Sequence, residues 1–139
     1  MLNWGMRRVV FAIAAAVLSA ACLEVRTDPA AALGQPFQLK PHKSAFVSGG
    51  LIITFDSVLS DSRCPINATC VWAGEARVAL TASTRSKGRA QIEMSTHGDA
   101  STLSFGGFII RLTELQPYPF AGQPTPPGDY VVTLVVDNP

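Results

Sequence analysis

From residue 36 onward the apolar positions of this chain recur at every second residue, and no stretch after Ala21 repeats at helical spacing. Residues 37–39 and 44–47 are short alternating pieces, the second ended by Gly49 and Gly50. In 51–58, Leu51, Ile53 and Phe55 share one face and Ile52, Thr54 and Asp56 the other. The spacing predicts a longer strand over 71–81, with Trp72, Ala76, Val78 and Leu80 on one side. Ala90, Ile92 and Met94 alternate with Gln91, Glu93 and Ser95, the mark of a sheet with one wet face. A short strand at 102–105 is turned by Gly106 and Gly107 into 108–115. Prolines 117, 119, 124, 126 and 127 then forbid regular structure until a closing strand at 130–136. Val131, Val135 and Val136 make that last strand apolar on both faces, which predicts a central position.

About seven short strands punctuated by glycine and proline, with no helices between them, predict an all-β fold. The form expected is an antiparallel β-sandwich, Ig-like or a partly open barrel. Residues 1–21 form a signal peptide by this reading, 22–35 a flexible tether, and 36–139 the sandwich domain.

The leader is read from its own pattern. Arg7 and Arg8 precede residues 9–21, an uncharged and mostly apolar run about 20 Å long as a helix, short for a bilayer core of about 30 Å. The run ends Leu18-Ser19-Ala20-Ala21-Cys22, which resembles the lipobox of bacterial lipoproteins. In that family small residues precede a cysteine that is lipidated and becomes the new N-terminus. The resemblance implies acylation of Cys22 and a membrane partner held through the lipid. The family places leucine three residues before the cysteine, where this chain has Ser19. The alternatives are ordinary cleavage after the small residues Ser19 and Ala21, giving a periplasmic or secreted protein, and an uncleaved anchor. In each case the chain is exported.

Charge narrows the partners. With the leader removed, nine basic and ten acidic side chains remain, which gives no electrostatic reason to bind nucleic acid. The three cysteines are odd in number for an oxidising compartment; lipidating Cys22 leaves Cys64 and Cys70 to form a disulfide.

That pair sits in the densest stretch, residues 61–74. A bridge over so short a loop contributes roughly 2 kcal/mol. Asp61-Ser62-Arg63-Cys64-Pro65, followed by Cys70-Val71-Trp72-Ala73-Gly74 leading into a strand, resembles a signature of small bacterial exported proteins and lipoproteins of unknown function. The resemblance implies an exported β domain and carries no activity with it. Trp72 is expected to pack its indole over the disulfide and seal one end of the core. Gly74 points to a bulge or to close approach of another backbone. Asp61 and Arg63 are expected to pair with each other, or with Arg77 and Glu75. Two readings follow: a stapled, charge-pinned corner, or a rigid binding loop presenting Asp61, Arg63, Ile66 and Asn67.

Candidate chemistry is thin. His97 near Asp99, Ser95 and Ser101 lacks a nucleophile elbow, and His42 and His97 stand far from the thiols and without metal-ligand spacing. No catalytic residue, metal ligand or cofactor is assigned. The expectation is a lipid-anchored cell-envelope protein whose β domain binds an envelope protein, a glycan or a small ligand. An inhibitory or structural module docking on an exported enzyme by its disulfide loop is the alternative, and an exported hydrolase comes third.

Overall fold

The computed structural model describes residues 30–139, so the leader, Cys22 and most of the expected tether lie outside the described residues. Nine strands follow one another: β1 (Ala30–Ala31), β2 (Phe37–Leu39), β3 (Ser44–Val47), β4 (Leu51–Asp61), β5 (Ala76–Thr84), β6 (Gly88–Ser95), β7 (Thr102–Phe105), β8 (Phe108–Gln116) and β9 (Val131–Asp137). They form two sheets, ordered β1-β3-β4-β5-β6 and β2-β9-β8-β7. Every pairing is antiparallel except β1 on β3. The fold is the expected all-β sandwich, and neither sheet closes into a barrel.

The period-two pattern explains which faces meet. Leu51, Ile53 and Phe55 of β4, with Val78 and Leu80 of β5, are fully buried against Ile110, Val132 and Leu134 of the other sheet. β9 lies between β2 and β8, as its apolar faces require. Gly106 and Gly107, both with positive φ, turn β7 into β8 so that Phe105 and Phe108 stand opposite each other.

Three expectations need correction. The strand count exceeds seven: the short piece expected at 37–39 is present as β2, and a two-residue strand, β1, is added at the edge beside β3. The domain begins before residue 36: Ala30 and Ala31 pair with Phe46 and Val47, Ala31 is buried, and the Gly34 amide donates to the Val136 carbonyl at 2.8 Å. An alanine-rich stretch carries no alternation, so its pairing leaves no mark in the sequence. The strand expected from residue 71 begins instead at Ala76, and residues 71–75 form an irregular return leg. Trp72 is consequently 64% exposed and does not seal the core.

The two aromatic positions therefore differ in consequence. Phe55→Ala should lower unfolding free energy by about 3–5 kcal/mol, whereas Trp72→Ala should cost less than about 1 kcal/mol. Denaturant unfolding of the two variants checks this; a large loss at Trp72 would restore it to the core.

Candidate functional site

The site is the far end of the β4–β5 hairpin. Beyond the regular ladder the two legs stay in register loosely: the Ser62 amide donates to the Glu75 carbonyl and the Cys64 amide to the Ala73 carbonyl, each at 2.8 Å. The Cys64–Cys70 disulfide closes the tip, with 5.9 Å between the two Cα atoms. Gly74 makes the crossing possible. Its φ is +68°, and a Cβ there would lie 1.9 Å from the Ser62 carbonyl oxygen. The close backbone approach expected at Gly74 is present, on a loop leg rather than within a strand.

Arg63 turns inward. It is 7% exposed, and it crosses from the hairpin tip to the opposite sheet. Its Nε and one Nη donate to the two carboxylate oxygens of Asp61 at 2.8 and 2.7 Å. The same Nη also donates to the Pro117 carbonyl at 2.9 Å, and the other Nη donates to the Leu115 carbonyl at 2.5 Å. The guanidinium carbon lies 4.7 Å from the centroid of the Tyr118 ring. The Tyr130 hydroxyl donates to Asp61 Oδ2 at 3.1 Å, tying the start of β9 into the group. No buried side-chain nitrogen or oxygen among the described residues lacks a partner.

Burial alone would raise the Asp61 pKa. The hydrogen bonds and charge of Arg63, with the Tyr130 hydroxyl, outweigh it and hold the carboxyl below its ordinary value. Tyr130 moves the other way: burial raises its pKa, and the neighbouring Asp61 charge adds to that.

The disulfide loop itself is docked on the proline-rich connection between β8 and β9. The Ile66 amide donates to the Pro119 carbonyl at 3.0 Å, and the Ala121 amide donates to the Asn67 side chain at 2.7 Å. Outside this polar seam the corner is apolar. Ile66, Val71, Trp72, Tyr118 and Phe120 are all exposed. Of the four loop residues expected to meet a partner, Ile66 and Asn67 are exposed, while Asp61 and Arg63 are spent on each other and on the opposite sheet. Arg77 and Glu75 do not join them: Arg77 pairs with Glu93, and Glu75 accepts from Ser95 at 2.5 Å. Val71 is not singled out for a partner by the sequence, whereas Tyr118, Phe120 and the surrounding prolines read there either as an extended ligand-like surface or as a long connection packed across the sandwich.

Clefts lie beside the corner. One of about 450 Å³ runs between the Lys40–Lys43 turn and Tyr130, floored by Pro41, Val58 and Pro127. Its acid Asp61 is occupied by Arg63, and Asp56 accepts from Thr81 at 2.7 Å. His97 is exposed; Ser101 donates to the Gly98 carbonyl and Ser95 to Glu75, so neither of these serines spends its hydroxyl on His97. Among the described residues no group of histidine, cysteine and carboxylate side chains could hold a metal.

Two measurements probe the corner. Because the folded Asp61 pKa is depressed, its stabilisation is present above the unfolded value of about 3.9 and is lost as pH falls through the folded one. Asp61→Asn should lower stability at neutral pH and flatten the loss as pH falls below about 4; an unchanged acid limb would contradict the pairing. Gly74→Ala should cost about 3 kcal/mol, against about 1 kcal/mol for Gly88→Ala, where φ is also positive but nothing lies within 4 Å of the added carbon. Denaturant midpoints compare the pair.

The chain matches no family model, no curated protein and no solved structure.

Proposed function

We propose that this is an exported, lipid-anchored cell-envelope protein whose β domain is a non-enzymatic binding module, and that it engages another protein through the stapled corner. The carrying observation is the pairing of rigidity with exposed apolar surface. A loop closed by Cys64–Cys70 and docked on the 117–121 segment leaves Ile66, Val71, Trp72 and Tyr118 open to solvent. Aromatic and aliphatic groups clustered on a pre-ordered loop suit a protein surface, because little entropy is lost on binding and the aromatic anchors supply most of the contact energy. The corner residues present few free polar groups of the kind a glycan demands. The leader supports the cellular side of the reading, since its small residues before Cys22 fit lipidation and export.

In this reading Ile66 and Trp72 are contact residues, while Arg63 acts through the loop it holds in place. A photo-crosslinking residue at position 72, carried in intact cells, should yield one defined protein adduct. Ile66→Ala combined with Val71→Ala should reduce that adduct on the order of tenfold while leaving the thermal midpoint nearly unchanged. Cys22→Ser should abolish labelling by a palmitate analogue and release the domain from membranes. Retained labelling would overturn the anchor, and an adduct from position 97 but not from position 72 would overturn the corner.

A further inference from the structure

The two long sides of the sandwich are finished differently. On one side β1 lies on β3, and the chain crosses from there to β2, with the Gly34 amide bonded to Val136 on the way. That strap joins the sheets. On the other side β6 and β7 are both outermost strands. β6 is eight residues long, so it offers a row of unpaired backbone donors and acceptors along its outer edge. Beside it the core is incompletely covered: Ala90, Ile92 and Leu103 pack against the buried cluster but are only partly buried themselves.

The side chains of β6 make this edge complementary to itself. Arg89, Gln91 and Glu93 point to the solvent face, with opposite charges placed evenly about Gln91. Two copies of β6 related by a two-fold axis through Gln91 would pair antiparallel. Arg89 of each then stands opposite Glu93 of the other, Gln91 opposite Gln91, and Ala90 opposite Ile92. Within the strand, only this register sets both charges against their opposites. A shift by one step of the two-fold places Arg89 against Gln91 or Ser95 instead. The arrangement also extends the charge row already present, because Glu93 is paired with Arg77 of β5 in the same chain.

We propose that a second copy of this chain docks edge to edge on β6 in the Gln91-centred register, joining the two five-stranded sheets into one continuous ten-stranded sheet. The charges on the edge thereby have two effects. They disfavour uncharged strands, which would leave them desolvated and unpaired, repel strands that set like charges opposite, and select the one partner whose sequence reads the same in reverse sign. The docking also covers Ala90 and Ile92. It uses Arg89, Gln91 and Glu93 on the outer edge of β6 rather than the exposed corner residues Ile66, Val71, Trp72 and Tyr118, so it stands independently of the partner proposed above, even though Ser95 at the end of β6 is bonded to Glu75.

Directly opposed residues in an antiparallel pair have Cα atoms about 4.5 or 5.5 Å apart, both within reach of a disulfide. The full chain carrying Gln91→Cys, exported in bacterial cells and mildly oxidised, should therefore run at twice its mass on a non-reducing gel, while the parent chain does not. Glu93→Cys alone should stay monomeric, and the double variant Arg89→Cys with Glu93→Cys should cross-link. Adding Arg89→Glu to Gln91→Cys should reduce the dimer on the order of tenfold, since both symmetric contacts become like-charged, and adding Glu93→Arg as well should restore it. Arg89 and Gln91 are exposed, so protease resistance should match the parent. No cross-link at position 91, equal cross-linking at 91 and 93, or no effect of Arg89→Glu would each overturn the proposal. None of these outcomes bears on whether the corner captures another protein.

Discussion

A guanidinium removed from water must spend its N–H groups on the protein, and at Arg63 that requirement fixes the whole end of the sandwich. The fork is held by Asp61, two residues away on the same chain leg, by the Leu115 carbonyl of the opposite sheet and by the Pro117 carbonyl just beyond the end of β8. Desolvating such a pair is costly, and the attraction offsets the cost only when geometry is good and the remaining donors are used. Both conditions hold here. The disulfide cannot replace this contact. It fixes the loop from Cys64 to Cys70 internally, but it says nothing about where that loop sits relative to β8 and β9. Arg63 sets the position, and the disulfide keeps what is positioned from spreading.

The corner consequently inverts the usual division of a protein surface. Its charges face inward and neutralise each other, while Ile66, Val71 and Trp72 face outward. Scattered exposed apolar residues are ordinary, but these cluster on one ordered loop with Tyr118 and Phe120 beside it. A flexible loop of this composition would collapse onto the nearest apolar surface. Holding it open requires the backbone bonds at Ser62, Cys64 and Ile66, and those depend in turn on the anchored Arg63.

Much of the fold was legible because alternation is a local signal. β4, β6 and the turn at Gly106–Gly107 lie where the period of two and the glycines placed them. The signal failed at residues 71–75 for the same reason. Valine and tryptophan have high strand propensity, yet propensity reports how a side chain fits a pleated surface rather than whether a neighbour strand is present. Gly74 was the better indicator, since it marked the close backbone approach on Ser62. The inward turn of Arg63 left no trace, because its acceptors Leu115 and Pro117 lie 52 and 54 residues away and Tyr130, which completes the group, lies 69 residues from Asp61. A charged residue flanked by a disulfide reads as surface until those partners are known.

The proline-rich connection then acquires a physical role beyond interrupting the sheet. Proline has a carbonyl but no amide N–H. A segment built from it can accept hydrogen bonds without bringing donors that also need partners. Pro117 accepts from Arg63, and Pro119 accepts from the Ile66 amide. Had β8 run on through this stretch, the Pro117 carbonyl would have met a ladder partner, leaving Arg63 only Asp61 and the Leu115 carbonyl at the end of β8. The prolines end β8 at the place where the carbonyls are needed. Chain termination and charge solvation are thus one device, and it explains how so small a domain keeps a buried arginine at its corner.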